Sequence, residues 1–239
     1  MRYYYDRCVA ETVDQFIELV KEGHMLVIPD DISNFKNLFE ELEKRQNEHD
    51  NIKYEYVSLL FSRDKEKALE MLKELVDKEH EPSMYIYGIM LLRGEKVEPN
   101  EIMGRELIEK SANANYALAT YEKSLRLFDG IFGYEKDIIK ALDLALKSVE
   151  QGYELGYFLA GRIYSNMESC LENMQKAIEC FEKIDKEEAA DVMLKQLCNA
   201  YERLGDAYVN GKYGIKVDAV IGNEYYEKSN ELYEYMRNR

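Results

Sequence analysis

The chain has 239 residues, enough for one domain or two small ones, and 46% of them are hydrophobic, so disorder throughout is excluded. Its 32 basic and 47 acidic residues give a net charge of −15, which disfavours nucleic acid and anionic membrane surfaces as partners. With 13 Gly and 3 Pro the chain turns too rarely for an all-β sandwich or barrel, and its 20 Tyr stand out against a complete absence of Trp.

Met1-Arg2-Tyr3-Tyr4-Tyr5-Asp6 carries no apolar stretch of the kind a secretory leader needs, so the expected compartment is the cytoplasm. Glu11 to Glu22 places Val13, Phe16, Ile17 and Val20 at helical spacing and ends at Gly23, a good residue to close a helix. Met25 to Pro29 is a short apolar run stopped by proline. Ser33 reads as the N-cap of a helix carrying Phe35, Leu38, Phe39 and Leu42. Residues 1–49 therefore read as an N-terminal helical cap covering the open end of a helical stack.

From residue 50 the chain repeats itself. Gly88, Ser124, Gly161 and Gly205 each precede, by three residues, Leu91, Leu127, Tyr164 and Tyr208, at steps of 36, 37 and 44 residues. A second marker, the small residues Ala68, Gly104, Ala141, Ala177 and Gly222, steps by 36, 37, 36 and 45. Two independent markers share one period, and both show the same extra eight or so residues before the last copy. Each unit reads as two antiparallel helices. Gly88, Gly161 and Gly205 on the first helix, and Ala68, Ala141 and Ala177 on the second, mark places where the axes cross closely, with Tyr164 and Tyr208 as packing residues. A mid-helix glycine costs about 1 kcal/mol relative to alanine, a loss that close packing offsets. The stretch 50–80 is a degenerate leading unit with a shorter internal turn, and 186–196 lengthens the first helix of the last unit. The domain reading is 1–49 cap and 50–239 repeats, in one continuous domain.

The pattern resembles the Sel1-like repeat family. One copy offers Ala117, Gly130, Asp137, Lys140-Ala141 and Gln151-Gly152; another offers Leu204-Gly205, Tyr208, Gly211, Asp218 and Tyr225-Tyr226-Glu227-Lys228-Ser229. Ser124, Met167, Gly104 and Gly222 depart from the pattern, three of them keeping the position small. The tetratricopeptide repeat is the near relative, at about 34 residues. The resemblance covers about residues 82–239. It implies an all-α, right-handed superhelix whose first helices line the concave face, and a non-catalytic role binding a protein or peptide. An inhibitor or immunity-type partner of a toxin or signalling protein is one concrete version.

The chemistry-bearing residues agree with a non-enzyme. His24, His49 and His80 form no metal-ligand spacing, and neither H-E-x-x-H nor G-x-S-x-G occurs. Gly205 to Gly211-Lys212 has one residue too many for a phosphate loop and places Tyr213 where Ser or Thr would hold magnesium. Cys8, Cys170, Cys180 and Cys198 contain no C-x-x-C pair and read as reduced, mostly buried thiols. No cofactor or metal is expected. The partner-binding residues read from the repeat phases are Tyr85, Tyr121, Tyr157 and Tyr201 with Glu122, Glu154 and Glu202, an acidic, tyrosine-lined groove suited to a basic segment. The alternative is an enzyme or small-ligand sensor with a pocket on the same stack, which would gather His, Lys or paired carboxylates from several repeats into one concavity.

Overall fold

In a computed structural model that describes residues 4–29, 35–167, 170–187 and 189–239, the chain is an α-solenoid of antiparallel helix pairs. The pairs are α3 (Asp50–Leu60) with α4 (Lys65–Asp77), α5 (Glu81–Arg93) with α6 (Glu101–Asn113), and α7 (Ala117–Asp129) with α8 (Ile138–Glu150). They continue with α9 (Leu155–Asn166) and α10 (Leu171–Glu182), then α11 (Asp191–Asn210) and α12 (Ala219–Arg237). The last first-helix is 20 residues long against 13 in α5 and α7, so the insertion does extend it, although 186–190 lie before its start.

The small residues sit where the helices cross. A Cβ on Gly88 would lie 2.9 Å from the Gly104 carbonyl oxygen, and one on Gly205 would lie 3.0 Å from that of Gly222. Where Ser124 replaces the glycine, its hydroxyl donates to the Ala141 carbonyl at 2.6 Å, so the crossing stays close and gains a bond. A Cβ on Gly161 would strike the Phe181 ring at 2.6 Å. Four of the five second helices are capped four residues before their small residue, where Asp64, Asn100, Asp137 and Asp218 accept backbone N–H groups of the first turn. In the third repeat α10 starts a turn earlier, capped by the Cys170 sulfur.

Two stability measurements test this geometry. Gly88→Ala is expected to destabilise by about 1–3 kcal/mol although alanine is the better helix former, because its Cβ meets backbone that cannot move aside. Ala177→Leu is expected to lose a similar amount, about 1–3 kcal/mol, since Ala177 is buried, whereas Lys176→Leu gives up one exposed ion pair with Glu172 and stays near neutral. Equal effects of the two neighbours in a urea titration would show the helix phase to be wrong.

The first 49 residues differ from the helical cap expected. The described residues begin with strand β1 (Tyr4–Ala10), cross through α1 (Val13–Glu22) and return as β2 (His24–Pro29), before α2 (Leu38–Arg45). The strands pair in parallel, with Cys8 opposite Val27 and Val9 opposite Ile28. A parallel pair needs a crossover, and α1 is that crossover. Thr12 caps its start and Gly23, at φ 102°, closes it. Tyr, Val and Ile favour strands, but the partner of β2 lies about 20 residues upstream, so no hairpin signal exists to announce it. Ser33 lies outside the described residues. One apolar cluster runs from Ala10 and Phe16 through Leu42, Tyr56 and Leu72 to Leu107, so this N-terminal unit shares its core with the first repeats.

Candidate interaction face

The second helices α4, α6, α8 and α10 each pack between two first helices and α12 closes the stack against α11, while α7 touches α9 and α9 touches α11 directly. Among the described residues no two second helices pack comparably. The first helices therefore line the inner, concave face.

Tyr85, on α5, and Tyr121, on α7, are half-buried. Each ring meets the ring that opens the next first-helix: Tyr85 lies 5.7 Å from Tyr116, and Tyr121 lies 5.1 Å from Tyr153 in an edge-to-face contact. Tyr54 repeats the arrangement one unit earlier, 5.7 Å from His80. A residue five positions beyond one cap thus bridges to the residue at the next cap, or in α9 just before it, joining successive repeats. Such pairs contribute about 0.5–1.5 kcal/mol beyond their buried area and hold the rings in fixed orientations. Burial raises the hydroxyl pKa of Tyr85 and Tyr121 and pushes that of Tyr153 up to about 12. In the last repeat this position is Glu202, which accepts a hydrogen bond from Ser229 at 3.1 Å.

The remaining expected site residues separate. Tyr157 is half-buried beside Phe158. Tyr201 is buried, and its hydroxyl donates to Glu182 Oε1 at 2.5 Å, turned toward α10. It borders a cavity of about 320 Å³ among α10, α11 and α12, with Lys186, Lys228 and Tyr235 around it. Glu154 is exposed at the start of α9. Glu122 is buried and forms an ion pair with Arg126, one helical turn on. The Arg126 guanidinium stands 4.7 Å over the Phe132 ring, and its Nε has no hydrogen-bond partner among the described residues. Arg162 similarly stands 5.5 Å over Phe128 and 5.9 Å over Phe158. Glu122 thus carries its own counterion and adds no free negative charge to the first helices. Periodicity reveals which tyrosines share a phase, but not that Glu122 and Arg126 lie on the packed side.

A second polar arrangement joins the N-terminal unit to the stack. His80 Nε2 donates to Asn51 Oδ1 at 2.8 Å, Ser83 Oγ donates to His80 Nδ1 at 2.8 Å, and Asn51 Nδ2 donates to the Val20 carbonyl at 3.0 Å. Asn51 has its amide toward a carbonyl, so its oxygen faces His80, and this fixes the imidazole tautomer. Ser, His and Asn in hydrogen-bonded series resemble a hydrolytic triad in composition. Ser83 is fully buried, however, so no substrate reaches its oxygen. Among the described residues no group of His, Cys, Asp and Glu converges as a metal site, and no helix is long and apolar enough to cross a membrane.

The Sel1 repeat profile matches residues 82–116, 112–153, 153–184 and 198–233, more than half of the chain. The protein belongs to the Sel1 repeat family, whose repeats generally mediate protein–protein interaction. Its helix pair α3–α4 lies outside the matched residues yet forms the same kind of hairpin. Among solved structures, a Sel1 repeat protein from Oxalobacter formigenes is similar at 15% identity and TM-score 0.57, over 82% of this chain and 79% of that one. A protective antigen of uropathogenic Escherichia coli with the same type of fold matches at 16% identity and TM-score 0.57, over 92% of this chain and 56% of that one. An immunity protein from Pseudomonas aeruginosa matches at 17% identity and TM-score 0.50, over 93% and 80%. Comparison with curated proteins found no match.

Proposed function

We infer that the protein is a non-catalytic scaffold that binds a protein or peptide carrying a basic segment along its inner face, as an inhibitor or immunity-type partner. The observation that carries this reading is the set of half-buried tyrosines on the first helices, each of Tyr85 and Tyr121 fixed by the ring of the next repeat. Aromatic side chains already held in one orientation lose little entropy on binding, so they serve as anchors. The net charge of −15 supplies a long-range field for a basic partner even though Glu122 is neutralised within the fold. Likeness to an immunity protein concerns the fold; charge is what supports the inhibitor version. The sealed Ser83 counts against a hydrolase on the same stack.

The test begins with a partner recovered from native lysate and then measured kinetically. Raised salt is expected to slow association, since the charge field is screened beyond about 8–10 Å at physiological ionic strength. Tyr157→Ala is expected to speed dissociation by an amount equivalent to about 2 kcal/mol with little change in melting temperature. Tyr121→Ala is expected to do the same and also to lose stability, because it removes the contact with Tyr153. Glu154→Lys should slow association. A partner indifferent to salt and to these tyrosines would move the interaction to the outer face or the N-terminal unit.

A further inference from the structure

The parallel crossover near the start of the chain brings together two residues that sequence spacing keeps apart. Cys8 lies near the end of β1, and His24 opens β2 directly after Gly23 turns the chain at φ 102°. Cys8 Sγ and His24 Nδ1 are 3.1 Å apart, and both residues are half-buried. A thiol within hydrogen-bond reach of an imidazole nitrogen is the arrangement of a nucleophile with its base.

The other three cysteines occupy different surroundings. Cys180 and Cys198 are buried in the cores of the last two repeats, where burial pushes the Cys180 thiol up to about 11 and raises that of Cys198. Cys170 accepts the Asn173 N–H at the start of α10 and serves as a helix cap. Among the described residues Cys8 is the cysteine that has a histidine nitrogen against its sulfur.

We propose that Cys8 and His24 form a reactive thiol–imidazole pair that takes up a low-molecular-weight disulfide of the glutathione type as a mixed disulfide. With Nδ1 unprotonated, the Cys8 S–H donates to it and passes its proton to the ring, leaving a thiolate beside an imidazolium. The thiolate attacks one sulfur of the small disulfide. A new S–S bond forms at Cys8 while the old one breaks, and the departing half leaves as a thiolate that takes the proton from His24. Cys8 is oxidised, half of the small disulfide is reduced to thiol, and no further oxidant is needed. The modification adds a bulky polar group next to β2, whose Met25 packs against the cluster of Tyr116 and Tyr85.

The experiment uses the full chain and two probes, glutathione disulfide and iodoacetamide, with peptide mass spectrometry to follow each cysteine separately. Cys8 is expected to react at least tenfold faster than Cys170 at pH 6.5, with a rate midpoint well below the ordinary thiol value of about 8.5. His24→Phe is expected to slow Cys8 about tenfold at that pH and return its midpoint toward the ordinary value, with Cys170 unchanged. Glutathione disulfide should add one glutathione per chain, absent in Cys8→Ser. A wild-type Cys8 midpoint at or above about 8.5, or a rate equal to that of Cys170, overturns the proposal whether or not the His24 variant folds.

Discussion

Glu122→Ala is expected to lower the stability of the protein by about 3–5 kcal/mol, read as a shift in the urea midpoint. An exposed Glu–Arg pair one turn apart on a helix contributes about 0.3–0.5 kcal/mol, and burial decides that this pair is different. Both side chains are less than a tenth exposed. Arginine cannot shed its charge, so truncating Glu122 strands a guanidinium whose Nε already lacks a partner among the described residues, near Phe132, Tyr85 and Tyr134. Arg126→Met strands a carboxylate instead, which can take up a proton, so its effect should shrink as the pH falls. Replacing both partners with apolar residues, Glu122→Leu with Arg126→Met, should recover most of the loss. The pair also has a local task. Phe132, held under Arg126, belongs to the turn after α7 that folds back over Ile89, Leu92 and Ile108, where Arg105 donates to the Gly133 carbonyl at 2.6 Å. A loss below about 1 kcal/mol for Glu122→Ala would mean that the inner face is wet and the pair behaves as a surface pair.

The repeats were legible because a close helix crossing admits few residue types. Gly88 with Gly104, Ser124 with Ala141 and Gly205 with Gly222 recur at a fixed period, and the period survives each substitution that stays small. The helix caps were partly legible: Asp137 and Asp218 stand out as turn residues, but only the backbone shows them accepting first-turn N–H groups. The inner face was legible as a phase and not as a set of contacts. Tyr85 and Tyr121 share a position, yet their partners Tyr116 and Tyr153 sit in the next repeat, and the equivalent partner of Tyr54 is a histidine. Tyr201 shares a phase with Tyr157 but is buried, with its hydroxyl bonded to Glu182 at the end of α10. The sheet left no local signal, since a parallel pair is formed by residues separated by a whole helix. The same separation concealed the Cys8–His24 contact and the bond from His80 to Asn51, 29 residues earlier.

That bond leads to a pH dependence in which two groups, the buried His80 and the half-buried Glu55, oppose each other. Burial pulls His80 down from its ordinary 6.5 to about 4, with Glu81 and Asp50 acting the other way and His49 and Lys78 reinforcing the shift. The ring is neutral in the folded protein, and its two nitrogens are both engaged, one donating and one accepting. Below pH 6.5 the unfolded chain binds a proton that the folded one refuses, so stability is complete above 6.5 and declines as the pH falls toward 4. The loss should be about 2 kcal/mol by pH 5 and about 3 kcal/mol by pH 4. Glu55 runs opposite: burial pushes its carboxyl up to about 7, so its contribution is present at low pH and is lost as the pH rises through 7. The wild-type profile between pH 5 and 7 should therefore be shallow. Glu55→Gln removes one limb and should expose the full decline on acidification, measured by urea titration across that range. Adding His80→Asn should lower stability at every pH but flatten the slope, which separates titration from packing. Asn51 carries the same network to the Val20 carbonyl at the end of α1, so the N-terminal unit should loosen first, visible as earlier hydrogen exchange in α1 than in α7 at pH 5. A Glu55→Gln profile as flat as the wild type would mean that His80 is protonated within the fold at little cost, with Ser83 turned to accept instead of donate.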